Sequence, residues 1–285
     1  MKQSLCTITY NVEVIPGIHL MWIKAPDIAC SVLPGQYITV RCGDFTLRRP
    51  FSIHQSRFNR DSGESEIALL FKVTGKGTLW LSQRRKGDKI DILGPLGKGF
   101  RIEPGSKNLL LVAGGVGIAP LVLLAQHALS QCQVILIHGA STANRLYPFS
   151  STDKRQSKLF PSLKGVQFVP VTDDGSMGKK GMATDILPDF LDRVDQVCAC
   201  GPLDMYKAMA LTLNPSPLKG EEKGEGEQQN NLKLGKCQVS LEVRMGCGFG
   251  TCYGCTINTK KGSKQVCRDG PVFELDDIIW QEVRI

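Results

Sequence analysis

Four cysteines near the end of the chain, Cys247, Cys252, Cys255 and Cys267, stand at the spacing C-x4-C-x2-C-x11-C. Four thiolates so spaced can wrap a [2Fe–2S] cluster, as in the plant-type iron–sulfur pattern. The first three share one loop, where Gly246, Gly248, Gly250 and Gly254 let the backbone turn tightly and bring N–H groups close to sulfur. Cys267 follows a short hairpin that turns over Lys260-Lys261-Gly262-Ser263-Lys264. Two other chemistries remain open to the same residues. A structural zinc site also takes four thiolates, although it usually builds from paired C-x2-C units. A disulfide framework needs an oxidising compartment and fits poorly with an odd total of 11 cysteines.

Other residues have the chemistry of phosphate and dinucleotide binding. In Arg48-Arg49-Pro50-Phe51-Ser52-Ile53 a guanidinium and a hydroxyl stand together at a strand end, and arginine binds phosphate in a bidentate fashion. Alone, such a pair is equally a surface feature. Phe71-Lys72-Val73-Thr74-Gly75-Lys76-Gly77-Thr78 runs from a strand through two glycines into a short helix expected over Thr78 to Gln83. Ala113-Gly114-Gly115-Val116-Gly117-Ile118-Ala119-Pro120 is a partial G-x-G-x-x-G turn, with Pro120 where the last glycine would stand. Thr172-Asp173-Asp174-Gly175-Ser176 and Cys200-Gly201-Pro202 fall at the carboxyl ends of later strands, where dinucleotides bind. No Asp or Glu lies between Glu103 and Asp153, so the usual ribose-reading carboxylate is missing and the choice of NAD or NADP stays open. Asp173, Asp174 and the four histidines read as structural groups.

These residues need elements to hold them. Thr7 to Ile15, Ile18 to Ile23, Gln36 to Cys42 and Glu66 to Val73 are short, β-branched and separated by turn residues such as Asp61-Ser62-Gly63. They predict an antiparallel barrel, closed by the glycine-rich Gly94 to Phe100. From Asn108 strands alternate with helices: strands at Leu109 to Val112, Gln133 to His138, Gly165 to Val171 and Gln196 to Cys200, an apolar helix that has Pro120 in its first turn and runs through about Leu129, and helices at Ala183 to Asp192 and Leu203 to Leu211. Residues 214 to 236 are low-complexity, with four lysines against four glutamates and little to bury. A strand over Cys237 to Val243 leads into the cysteine loop. The fold class is β plus α/β, multidomain: an N-terminal antiparallel barrel (1–103), a Rossmann-like parallel α/β domain (104–213), a polar linker (214–236) and a C-terminal cysteine module (237–285).

Composition narrows the function further. The net charge is +8, but the basic residues are spread along the chain without the clustered face that nucleic-acid binding needs. No apolar run is long enough to cross a bilayer, and the start of the chain does not resemble a signal peptide. A cytoplasmic location, with reduced thiols, is the expectation.

Together, Arg49-Pro50-Phe51-Ser52, Gly75-Lys76-Gly77-Thr78, Ala113 to Pro120, Thr172 to Ser176, Cys200-Gly201-Pro202 and the cysteines resemble the ferredoxin–NADP reductase superfamily. Cys237 to Glu242 and Cys267 to Phe273 are similar to the electron-transfer subunits of type B dihydroorotate dehydrogenases. The resemblance implies that Arg49, Pro50, Phe51 and Ser52 hold FAD, that Leu70, Phe71 and Lys72 line the flavin, and that Gly77 and Thr78 receive its pyrophosphate. It implies NAD at Gly114, Gly115 and Gly117, with Cys200 and Gly201 near the hydride-transfer face, and the [2Fe–2S] cluster on Cys247, Cys252, Cys255 and Cys267. It also implies an FMN-containing catalytic partner that oxidises dihydroorotate in pyrimidine biosynthesis, in a heterotetramer of two of each. Electrons would pass from that FMN through the cluster and FAD to NAD+. The alternatives are a related FAD and iron–sulfur subunit serving ferredoxin, a hydrogenase or a glutamate-synthase-like partner, and a non-redox zinc-binding module. Gly246 and Val243 depart from the pattern, standing where alanine and an acidic residue are expected.

Overall fold

The computed structural model describes residues 1–58, 65–149, 159–161, 163–213 and 237–283. The expected linker at 214–236 and the turn at Asp61-Ser62-Gly63 lie outside these residues. The first six strands are β1 (Lys2–Ile15), β2 (Ile18–Lys24), β3 (Tyr37–Arg41), β4 (Arg49–Phe58), β5 (Ser65–Lys72) and β6 (Lys89–Leu96). They close an antiparallel barrel in the order β1-β2-β5-β4-β3-β6. Two short helices accompany it, α1 (Pro26–Ala29) and α2 (Lys76–Ser82).

Strand β2 is apolar at successive positions because both its faces are buried. Met21 and Ile23 point into the barrel with Ile8, Ile53 and Leu69, whereas Leu20 and Trp22 join a cluster outside it. That outer cluster includes Leu121, Val122 and Leu124 of α3 (Ile118–Ala128), so this helix lies between the barrel and a sheet. A helix with no solvent face must be apolar nearly all round, and α3 is buried continuously from Ile118 to Ala125.

The sheet has seven strands: β7 (Asn108–Gly114), β8 (Gln133–Ala140), β9 (Val166–Thr172), β10 (Lys179–Lys180), β11 (Gln196–Cys200), β12 (Cys237–Ser240) and β15 (Val272–Glu274). Their order is β10-β9-β8-β7-β11-β12-β15, parallel except for β15. Central β7 is fully buried from Leu109 to Ala113, as a parallel strand covered on both faces requires. Short α4 (Pro188–Leu191) and longer α5 (Leu203–Leu213) follow β10 and β11, and a hairpin of β13 (Thr256–Thr259) and β14 (Gly262–Gln265) leads into α6 (Val266–Asp269). Segment 237–283 thus contributes two strands to the nucleotide-domain sheet. Among the described residues no helix is long and apolar enough to cross a membrane.

Gly94 and Pro95, at the start of the glycine cluster expected to close the barrel, belong to strand β6, which pairs with β1 and β3 and so closes it; a Cβ on Gly94 would lie 2.6 Å from Ile38 Cγ2, so glycine there admits the neighbouring strand. Two expectations change. The helix expected over Ala183 to Asp192 shrinks to Pro188–Leu191, because Pro188 cannot donate within a helix and fits only its first turn. The strand expected over Cys237 to Val243 ends at Ser240, after which the Leu241 N–H donates to the Pro271 carbonyl.

Two histidines are fully buried in this core, His54 on β4 and His138 on β8. Burial pushes each imidazole down to about 4, against a smaller opposing effect of a backbone carbonyl accepting from each ring. The folded protein therefore excludes protons that the unfolded chain takes up below the ordinary histidine pKa of 6.5. Stability from these rings is complete above pH 6.5 and declines as pH falls toward 4, by about 1.4 kcal/mol per pH unit for each ring. Urea unfolding across that window should show this slope, and His138→Gln should remove about one ring's share of it.

Candidate functional site

A cleft of about 480 Å³ opens on the barrel. Arg49, Pro50, Phe51 and Ser52 of β4, Leu70, Phe71 and Lys72 of β5, and Thr78 of α2 line it. The two arginines divide their work. Arg48 pairs with Asp91 at 2.6 Å and is half-buried in the barrel wall, while Arg49 faces the cleft. Gly77 does not line the cleft but backs Arg49: a Cβ there would lie 3.0 Å from Arg49 Nε. The Thr78 hydroxyl accepts from the Thr74 and Gly75 N–H groups at 2.9 and 3.1 Å, so it shapes the turn before α2.

A second cleft, about 560 Å³, lies beyond the carboxyl ends of the parallel strands. Gly114, Gly115, Gly117 and Gly201 line it. Gly117 is required by close approach, since a Cβ there would come within 2.1 Å of the Cys200 carbonyl oxygen. Cys200 itself is 1% exposed and is not a lining residue; its backbone packs on the glycine turn, and burial pushes its thiol up. Its neighbour Gly201 lines the cleft, so Cys200 stands behind that wall with its side chain buried. Gly115 takes a left-handed φ of 54°, which suits glycine.

Sequence reasoning gave Asp173 a structural part and gave Val116 and Glu242 none of their own. Asp173 stands in the second cleft beside Ser141, at the end of β9, so a carboxylate is present although not at the position the usual pattern gives. The strand-end motif Thr172-Asp173 was the available signal. Val116 and Glu242 line both clefts and mark where these meet. Glu242 keeps contact with solvent through the cleft mouths, and the protein around it pushes its carboxyl up by desolvation.

Tyr37 on β3 lines the barrel cleft and reaches the cysteine loop. Its hydroxyl donates to the carbonyls of Gly248 at 2.7 Å and Cys267 at 3.0 Å, and it is 2% exposed. All eleven cysteines are free thiols, so no disulfide framework forms. The four candidate ligands fall into two pairs. Cys247 and Cys252 lie outward, where N–H groups of Thr251 and Cys252 donate to Cys247 Sγ, and those of Cys247 and Gly254 to Cys252 Sγ, at 3.3 to 3.5 Å. Cys255 and Cys267 are buried, and the Cys267 N–H donates to Cys255 Sγ at 3.4 Å. Among the described residues no three His, Cys, Asp or Glu side chains converge as ligands of one ion. Two pairs with N–H groups aimed at sulfur suit a two-iron cluster, which takes two protein ligands on each iron.

Desolvation works to raise the Cys247 thiol, but N–H donors from Phe249, Cys252 and Thr251 outweigh it and pull the thiol down to about 6. Buried Cys267 is pushed up to about 12 by desolvation and by Cys255. Gly248 and Gly250 take left-handed φ of 81° and 92°, as expected of the loop. Gly246 and Gly254 do not; the further left-handed residue is Tyr253, at φ 60°. Gly246 serves proximity instead, since a Cβ there would lie 3.1 Å from Cys252 Sγ.

Known proteins share this arrangement. Residues 242–279 match the iron–sulfur cluster binding domain of dihydroorotate dehydrogenase B, and residues 111–210 match the oxidoreductase NAD-binding domain. The dihydroorotate dehydrogenase B (NAD+) electron transfer subunit of Desulforamulus reducens is 36% identical, over 94% of this chain and 95% of its own length. That of Clostridium acetobutylicum is 34% identical over 99% of both chains. Among solved structures, one of an NADH-dependent reduced ferredoxin–NADP oxidoreductase, described for flavin-based electron bifurcation, superposes with a TM-score of 0.75 at 28% identity, covering 98% of this chain and 91% of that one. A ferredoxin NADP+ reductase from Neisseria gonorrhoeae, solved with bound FAD and NADP, shares the fold at a TM-score of 0.60 and 19% identity, covering 84% of this chain and 98% of that one. With its barrel, parallel sheet and cysteine loop in the same order along almost the whole chain, this protein belongs to the family of dihydroorotate dehydrogenase B (NAD+) electron transfer subunits.

Proposed function

We propose that this chain carries electrons from dihydroorotate oxidation on the FMN of a catalytic partner to NAD+, using a [2Fe–2S] cluster at Cys247, Cys252, Cys255 and Cys267, FAD in the barrel cleft and NAD in the sheet cleft. One observation carries the reading: the three places share walls. Tyr37 belongs to the barrel cleft and to the cysteine loop, and Val116 and Glu242 belong to both clefts. When bound, FAD converts the single electrons of an iron–sulfur cluster into the hydride of a nicotinamide.

The chain supplies position and charge. Arg49 offers a guanidinium to the flavin's phosphates, and Ser52, Leu70, Phe71 and Lys72 form the wall beside the ring. Gly114, Gly115, Gly117 and Gly201 allow the dinucleotide close to the backbone. Glu242, which lines both clefts, would be placed to take the proton released if a bound flavin gives up a hydride. Val116 and Glu242 mark the nicotinamide end of the second cleft, so Asp173 and Ser141 receive the adenosine ribose, where a carboxylate favours a 2′-hydroxyl over a 2′-phosphate. Phe249 and Tyr253, 46% and 67% exposed beside the outer cysteine pair, form an apolar face for the catalytic partner, in an assembly of two of each chain. Eleven free thiols support a cytoplasmic location.

The likeness to the NADH-dependent ferredoxin–NADP oxidoreductase supports a second reading, with a ferredoxin-type protein as the electron donor. Anaerobic co-expression with a catalytic partner separates the two: the first reading expects iron, FAD and FMN in the purified complex and dihydroorotate-dependent reduction of NAD+. A colourless complex without iron overturns it in favour of zinc. Cys247→Ser should leave flavin reduction by NADH intact while lowering dihydroorotate-dependent NAD+ reduction by more than about a hundredfold, since single electrons lose their route. Asp173→Ser should weaken NADH binding and narrow the preference over NADPH by about tenfold, measured as the ratio of dissociation constants.

A further inference from the structure

Behind the turn that separates the two clefts runs a buried chain of hydrogen bonds that the proposed electron path does not use. His54 Nδ1 lies 2.9 Å from the Ala119 carbonyl oxygen, and His54 Nε2 lies 2.9 Å from the Tyr147 hydroxyl. The Tyr147 N–H points at His138 Nδ1 at 3.4 Å, and His138 Nε2 lies 3.1 Å from the Gly115 carbonyl oxygen. His54, Tyr147 and His138 are 0%, 2% and 0% exposed.

The partners dictate the proton positions. A carbonyl oxygen only accepts, so His54 carries its proton on Nδ1 and His138 carries its proton on Nε2. Each remaining nitrogen must accept, and Tyr147 meets both needs, donating its hydroxyl proton to His54 and its backbone proton to His138. A second proton on His138 would leave a buried donor facing the Tyr147 N–H, and one on His54 would turn the Tyr147 hydroxyl into an acceptor and leave its own proton without this partner. Arg57, whose charge reaches Tyr147, is held over the Trp22 ring at 3.7 Å.

The ends of this chain have functional addresses. Gly115 lines the sheet cleft, Ala119 lines the barrel cleft, and Val116 between them lines both. His54 is the extra residue of a β-bulge in β4, two positions after Ser52, and a bulge re-aims its side chain out of the ladder. The strand bearing Arg49 to Ser52 is therefore tied to both ends of the turn at residues 115–119.

We propose that His54, Tyr147 and His138 are positioning residues for hydride transfer, holding the Gly115–Ala119 turn in register with the flavin-bearing strand β4. They touch neither ligand; they set the distance and angle at which the nicotinamide meets the flavin. The inference rests on the reading that the two clefts hold FAD and NAD.

The test uses the FAD- and cluster-loaded protein with NADH, following the charge-transfer absorbance of bound nicotinamide and the rate of flavin reduction by stopped flow. Tyr147→Phe and His54→Leu should lower both signals, the rate by at least about tenfold at full FAD loading, since misplacement by about an ångström costs orders of magnitude. His54→Asn, which retains a donor near the place of Nδ1, should recover most of the rate. Rates within about twofold of the parent in both variants, or equal losses in His54→Asn and His54→Leu, overturn the proposal. A fall in melting temperature alone, with a normal rate, also overturns it.

Nitrogen-15 NMR of the unmodified protein gives a readout independent of folding in the variants. It should show two neutral imidazoles of opposite tautomer, and like tautomers or a charged ring at pH 6.5 overturn the chain. Parent protein that NADH does not reduce counts against the assignment of the clefts, while the NMR result still decides the chain.

Discussion

The structure turns on one packing constraint: α3 is buried on every side from Ile118 to Ala125. It enters from the glycine turn at 115–117, covers β7 and presses against β2, β4 and β5 of the barrel, so two domains share its apolar surface. Removing that surface from water is the dominant favourable contribution to joining barrel and sheet. It also decides where the clefts lie. Both open at the N-terminal end of α3, so that Val116 and Glu242 line the two together.

The cysteine loop is joined to this body by a different kind of contact. Two carbonyls from opposite sides of the loop converge on the single hydroxyl of Tyr37, a residue of the barrel wall. A buried phenol satisfied by two acceptors is expensive to disturb, because each freed carbonyl would lose its partner away from water. Beneath it, β12 and β15 anchor the same segment in the main sheet. The loop is thereby held from the barrel side and the sheet side. That arrangement suits a relay, whose efficiency depends on constant distances more than on acid–base groups.

The electrostatics follow the same division. Outward Cys247 is surrounded by N–H donors, which favour the thiolate, while inward Cys255 and Cys267 sit in protein of low polarity. The interior extends to the His54–Tyr147–His138 chain, where with both rings neutral every ring nitrogen and the Tyr147 hydroxyl proton have a partner. The cleft walls do carry charge, at Arg49, Lys72 and Arg244 in one and Asp173 and Asp204 in the other, with Glu242 in both, where ligands bring charge of their own.

Short-range patterns were legible without coordinates. Cysteine spacing, the glycine turn before α3 and the wholly apolar run of β7 each depend on residues within a few positions of one another, so ligand geometry, backbone freedom and burial on two faces leave a local trace. Local signals misled where a neighbour decided the outcome: the alternating run from Cys237 looked like a strand to Val243 but ends at Ser240, where Leu241 turns to the Pro271 carbonyl. The shared walls were invisible in the chain. Tyr37 meets acceptors 211 and 230 positions away, and His54 finds Tyr147 across 93. No periodicity records such pairings, because they arise only when barrel and sheet close on α3 and bring distant side chains to one point.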